Sequence, residues 1–188
     1  MPSSLGFGRG AAYDPMMKAV LAVCAVTVLW APIASAQDEA QRCGDLPPAV
    51  AKTSQAIHDA AAARDYDALA KLAGAGEFTY SFGDPGGDPI AFWKSVDAEG
   101  TDIRAIIAAV VEMGCAVAAY DEATEYVYPS AAEIAYAELA ADEKAALEKL
   151  YPGEVEAQYI EGTEIGYYAG WRLYIDEDGR WTSFVAGD

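Results

Sequence analysis

Hydrophobic positions alternate most regularly near the end of the chain, in the stretch GWRLYIDEDGRWTSFVAGD from Gly170 to Asp188. Trp171, Leu173 and Ile175 fall on one parity, and Trp181, Ser183 and Val185 share a parity in the following run. Alternation of this kind marks a strand with one buried face. Asp176-Glu177-Asp178-Gly179 supplies a turn between the runs, with Gly179 able to take positive φ. The pattern predicts a C-terminal hairpin. A lone hairpin is marginal in water, so earlier elements must cover its apolar face.

Helical spacing dominates the first half. Pro47 and Pro48 open a helix in which Val50, Ile57 and the alanines at 60, 61 and 62 form a modest apolar stripe, to about Ala63. A second helix follows, capped by Asp65, with Leu69 and Leu72 inward and Gly74 and Gly76 ending it. Phe78-Thr79-Tyr80-Ser81-Phe82 alternates and reads as a strand, and 83–89 is a loop dense in turn formers. Asp88 caps a short helix carrying Ile90, Phe92 and Trp93. Thr101 starts the clearest helix, where Ile103, Ile106, Ile107, Val110 and Val111 describe one buried face and Gly114 ends the run.

Val117 to Tyr120 and Glu125 to Tyr128 read as two strands around Asp121-Glu122. The segment from Ala131 to Tyr151, rich in Ala, Glu, Leu and Lys, reads as one or two helices with Asp142 as a cap inside it. Val155 to Ile160 is strand or loop. The sum is an α+β fold, with helices packed on a curved antiparallel sheet that ends in the hairpin.

The N-terminus changes the picture of where the chain works. Lys18, the apolar run Ala19 to Ile33 and the small residues Ala34-Ser35-Ala36 have the form of a secretory signal peptide, cut before Gln37. Leu21-Ala22-Val23-Cys24 has the outline of a lipobox, but Val23 stands where a small residue is expected, so it reads as filling of the signal. Residues 1–36 are then a removed signal, 37–46 a tail and 47–188 a single domain, with no membrane span left after cleavage. The expected location is the periplasm or the exterior of a bacterium. Cys43 and Cys115 are the cysteines that remain, and in an oxidising compartment a pair suggests one disulfide.

Charge narrows the partners. The chain has 12 basic and 30 acidic residues, a formal net charge of −18. Such a surface repels nucleic acid and anionic lipid and favours cationic ligands or basic proteins.

The helices meeting at Ala63-Arg64-Asp65-Tyr66-Asp67-Ala68-Leu69, followed by Phe78-Thr79-Tyr80, resemble the opening of NTF2-like domains of the small-molecule type. The resemblance implies a cone of helices over a strongly curved antiparallel sheet, with a cavity for a ligand or active site. It covers about the first third of the chain beyond the signal, plus the hairpin. The helix from Thr101 and the segment from Ala131 to Tyr151 depart from that family's consecutive strands, and no catalytic residue carries over.

Candidate chemistry is sparse. His58 is the single histidine, beside Asp59, and no other residue could serve a Ser-His-Asp or Cys-His set. Zinc sites want several Cys or His ligands, and the chain beyond the signal holds two cysteines and one histidine. Asp176 to Gly179 and Asp84 to Asp88 offer oxygens to calcium but lack the spacing of a calcium loop, and no cofactor is implied. The remaining signal is aromatic. Tyr80, Trp93, Tyr128 and Trp171, with the cation Arg172, are the candidate ligand-binding residues. The expected function is a non-catalytic binding or envelope-associated protein. The alternatives are an NTF2-like binder or enzyme with an aromatic-lined cavity, and an acidic inhibitor or partner of a basic envelope protein.

Overall fold

The computed structural model describes residues 41–74, 78–81, 87–120, 123–160 and 167–187, all within one unit spanning Ala36–Asp188. The signal, the lipobox, most of the tail, Phe82 and the acidic loop from Asp84 lie outside the described residues.

Helix α1 (Pro48–Ala62) starts on proline, whose missing N–H costs nothing in a first turn. Its buried residues include Val50, Ser54 and Ile57. Helix α2 (Tyr66–Ala73) begins where the Asp65 carboxylate accepts from the Ala68 N–H at 2.9 Å. Helix α3 (Pro89–Ala98) is capped by Asp88 in the same way, through Ile90. Helix α4 (Ile103–Glu112) is capped by Asp102, one residue after the expected start, and buries Ile103, Ile107 and Val110. The pairs β1 (Gln41–Arg42), β2 (Ala116–Tyr120), β3 (Ala123–Tyr128), β6 (Arg172–Asp176) and β7 (Trp181–Val185) form one antiparallel sheet in the order β1-β2-β3-β6-β7. A second sheet pairs β4 (Tyr159–Ile160) with β5 (Tyr167–Tyr168). The fold is α+β, with a C-terminal hairpin as the alternation required.

Helices α1 and α4 pack on each other and on β6, while α2 packs on β7. Between helices and sheet lies one core containing Val50, Ile57, Leu69, Trp93, Ile107, Leu173, Ile175 and Phe184. A smaller core holds Ala131, Ile134, Leu139, Leu147, Val155, Tyr159 and Tyr168. Cys43 and Cys115 are disulfide-bonded with Cα atoms 5.3 Å apart, which ties β1 to the start of β2.

Four expectations need correction. The register of the hairpin shifts between Tyr174 and Ile175, so Leu173 pairs with Phe184 and Ile175 with Trp181. The extra residue of a β-bulge resets the parity of its strand. Trp181 and Phe184 therefore share the core face, while Ser183 and Val185 pair with Tyr174 and Arg172. Among the described residues 78–81 the expected strand reduces to one parallel bridge, Thr79 with Ser183, held by hydrogen bonds to Thr182 and Phe184. The stretch from Ala131 to Tyr151 is two 3-10 turns, Ser130–Glu133 and Tyr136–Glu138, and then α5 (Ala141–Leu150). Ile134, between the turns, and Leu139, between the second turn and α5, take extended backbone and are buried, so packing overrides helix propensity there. Asp142 is not the cap of α5 but lies in its first turn, and Glu143 reaches back to the Ala140 N–H at 2.8 Å.

Candidate ligand cleft beside the disulfide

Beside the disulfide, the middle of α1 and the end of α4 border an open cleft of about 400 Å³. Ser54, Gln55 and His58 reach it from α1, Val111 and Glu112 from α4, and Tyr128 from the end of β3. Cys43, Leu46 and Cys115 complete an apolar side. Helix geometry explains the first set, since residues four apart share a face and Ser54 and His58 have that spacing.

His58 spans the two helices. Its Nε2 lies 3.0 Å from Glu112 Oε1, and its Nδ1 lies 3.3 Å from Asp59 Oδ1. The bond to Glu112, then that to Asp59, raises the His58 pKa above its ordinary 6.5, because each stabilises the imidazolium. With both ring nitrogens facing carboxylates, neither is placed to take a proton from a nucleophile. Ser54 does not complete a triad, because its hydroxyl donates to the Ala51 carbonyl at 3.1 Å. Gln55 Nε2 donates to Asp59 at 2.8 Å.

Tyr128 decides how the cleft is read. Its residue is 3 % exposed, and its hydroxyl is buried without a hydrogen-bond partner among the described residues. Burial pushes the phenol pKa up, with the neighbouring Ser54 hydroxyl pulling weakly the other way. The group is therefore a neutral phenol at physiological pH, with the Ser54 hydroxyl close to its oxygen and no acceptor in hydrogen-bonding geometry for its proton. Buried polar groups without partners are rare, and each costs about 1–3 kcal/mol.

The structure separates the five expected ligand residues. Trp93 is fully buried, stacked on Trp181 with ring centroids 5.6 Å apart and edge-on to Phe184 at 5.8 Å. Trp171 stacks on the same Phe184 at 4.9 Å. Tyr80 is buried against Phe92 at 5.2 Å. These aromatics pack on one another as a core, in which the Trp93 Nε1–H is buried without a hydrogen-bond partner among the described residues. Arg172 is 2 % exposed, and its guanidinium donates to the carbonyls of Tyr168, Gly170 and Gly187 and to the Tyr174 hydroxyl. It knits the chain end to β5 and β6. Lys94, beside Trp93 in the sequence, lies over the Tyr66 ring at 5.4 Å. Of the five, Tyr128 alone lines the cleft.

Sequence reasoning passed over Ser54, Gln55 and Glu112. The spacing of Ser54 and His58 was a usable signal; the meeting of His58 with a carboxylate far along the chain was not. The turn at Asp176 to Gly179 is no metal loop. Both Asp176 carboxylate oxygens engage Arg180, at 2.8 Å to its N–H and 2.6 Å to Nε. Gly179 has φ of +80°, and a Cβ there would lie 2.8 Å from the backbone of Ala49, so the turn docks closely on α1. Among the described residues no group of His, Cys, Asp or Glu is placed to hold a metal ion. None of their helices is long and apolar enough to cross a membrane. A second groove of about 480 Å³ runs between α4 and α5, lined largely by alkyl groups such as Ile106, Ala109, Met113 and Leu150.

Comparison with protein-family models, characterised proteins and solved structures returned no match.

Proposed function

We propose that this chain is an exported bacterial binding protein without catalysis, and that it holds a small ligand in the cleft beside the disulfide. The observation that carries the reading is the Tyr128 hydroxyl, buried, unpartnered and lining that cleft. A volume of about 400 Å³ lies within the usual range for small-molecule sites. The engagement of both His58 nitrogens by carboxylates, and of the Ser54 proton by a carbonyl, supports binding over hydrolysis. Export is supported by the signal-like N-terminus and by the Cys43–Cys115 bridge, which suits an oxidising compartment.

Native mass spectrometry of protein recovered from the periplasm tests this. The expected result is a small adduct on wild-type protein that denaturation releases and that Tyr128→Phe lacks. The denatured mass should start at Gln37 and lack two hydrogens. An adduct retained undiminished by Tyr128→Phe would place the ligand elsewhere, and a reaction product formed at His58 would overturn the non-catalytic reading.

A second reading is an NTF2-like small-molecule protein, favoured by the helices α1 to α4 lying over an antiparallel sheet. It puts the ligand between helices and sheet, where Trp93, Trp181 and Phe184 pack. A ligand that perturbs Trp93 and leaves the surroundings of Tyr128 unchanged would favour it.

A further inference from the structure

We propose that the cleft beside the disulfide takes a small organic ammonium ion, a protonated primary amine on an apolar tail, and that His58 competes with it for Glu112. The inference rests on the binding reading above and adds the class of ligand and its pH control.

The unspent hydrogen-bonding capacity of the cleft is lopsided. Ser54 has given its proton to Ala51 and offers lone pairs. Gln55 has given one amide proton to Asp59 and offers its carbonyl and its other proton. Glu112 uses Oε1 on His58 and offers Oε2. Against these acceptors stand two donors, the second Gln55 amide proton and the Tyr128 hydroxyl, and the Tyr128 group also accepts. A ligand that satisfies such a wall must bring donors. An ammonium brings three and no acceptor, whereas a carboxylate or phosphate brings acceptors and meets Glu112 with like charge. Leu46, Val111 and the disulfide add an apolar part to the lining that suits an alkyl or aryl tail. A formal net charge of −18 draws cations towards the whole surface.

His58 is the cation already in place. Glu112 from α4 and Asp59 from α1 are the charged groups that act on it. Cys43, Gly44 and Leu46 of the arm, Gly114, Cys115 and Tyr128 carry no formal charge, and Asp45, also in the arm, is exposed and does not line the cleft. While His58 is protonated it neutralises Glu112. As pH rises and His58 loses its proton, Glu112 regains an unshared charge and the amine gains a partner. Affinity for an amine should therefore rise across the titration of His58, until the amine itself deprotonates near pH ~10.

Three probes of one size separate the possibilities: phenethylamine, neutral 2-phenylethanol and anionic 3-phenylpropionate. Each is titrated into the full disulfide-bonded protein while backbone amide shifts of Ser54, Glu112, Gly114 and Tyr128 are followed by NMR. The expected result is that phenethylamine binds best, and tightens roughly two- to fivefold between acidic and mildly alkaline pH, the scale of an exposed ion pair. Tyr128→Phe, with its unfolding midpoint checked, should weaken phenethylamine about tenfold, the worth of one hydrogen bond to a charged group. Equal or better binding of the alcohol or the acid would overturn the ammonium class and leave the cleft as a site. Amine selectivity with no pH trend would overturn the competition by His58. Silence of the cleft amides towards all three probes would overturn the site and the ligand class together.

Discussion

Two residues in one cleft show opposite ways of treating a polar group. Tyr128 keeps a neutral hydroxyl with no partner, a local cost that a ligand would offset. His58 is over-supplied, with a carboxylate at each nitrogen. Because its pKa is raised in the folded protein, its contribution to stability is full below the unfolded value of 6.5 and is lost as pH rises through the folded value. Its side chain is 26 % exposed and Glu112 is 67 % exposed, so solvent screens the pair and the effect should be a few tenths to about 1 kcal/mol. Urea unfolding of wild type and His58→Gln should show the larger gap near pH 5.5 and a closing gap above pH 8. A gap that widens with pH would mean that imidazole packing, and not the charge, is what α1 and α4 use. The residue was visible in the sequence as the sole histidine, but its charge state depends on Glu112, which only folding brings alongside.

At the scale of elements, Glu143 joins three pieces of backbone that no local pattern connects. Its carboxylate takes Arg42 from β1 at 2.7 Å, the Ser130 hydroxyl at 2.8 Å and the Ala140 N–H at 2.8 Å. The Arg42 bond is the largest cause that holds its pKa down to about 2, against the opposing effect of burial. A depressed carboxylate contributes stability above its unfolded pKa of 4.5 and loses it as pH falls towards about 2. Glu143→Gln should therefore cost about 1–2 kcal/mol at neutral pH, less than the full shift because Arg42 is half exposed. Chemical denaturation should show that penalty fading in acid. A penalty unchanged at acid pH would point to lost shape at the start of α5. Sequence pattern saw the helix here and misplaced its start, since Asp142 looks as good a cap as any. What fixed the start was the burial of Ile134 and Leu139 in extended form.

For the whole molecule the disulfide has the longest reach. It joins residues 72 apart, which by loop-closure entropy is worth about 4 kcal/mol. It also lines the cleft and holds β1 beside β2, where the Cys43 N–H donates to the Cys115 carbonyl at 2.8 Å. Replacing both cysteines by serine should lower the unfolding free energy by about 3–5 kcal/mol and loosen amide protection at Gln41–Cys43 first, as read by hydrogen exchange. Undiminished protection there would show that the β1 pairing and the Arg42–Glu143 contact hold the arm without the bridge.

The sequence by itself determined helices α1 to α4, the aspartate caps of α2 and α3, the two hairpins and the cysteine pair. Each of these rests on chemistry between near neighbours, or on a pair of cysteines with no competing partner. Tertiary structure alone decided the bulge that turns Phe184 inward, because an extra residue in one strand is defined only by what it faces. It decided that Trp93, Tyr80 and Trp171 pack into the core, since an aromatic side chain suits a core and a ligand wall equally well. It decided that Arg172 is consumed by carbonyls and that Tyr128 is left unpaired in a cleft. A satisfied and an unsatisfied polar group have the same letter in the sequence, and differ only in which distant atoms the folded chain sets beside them.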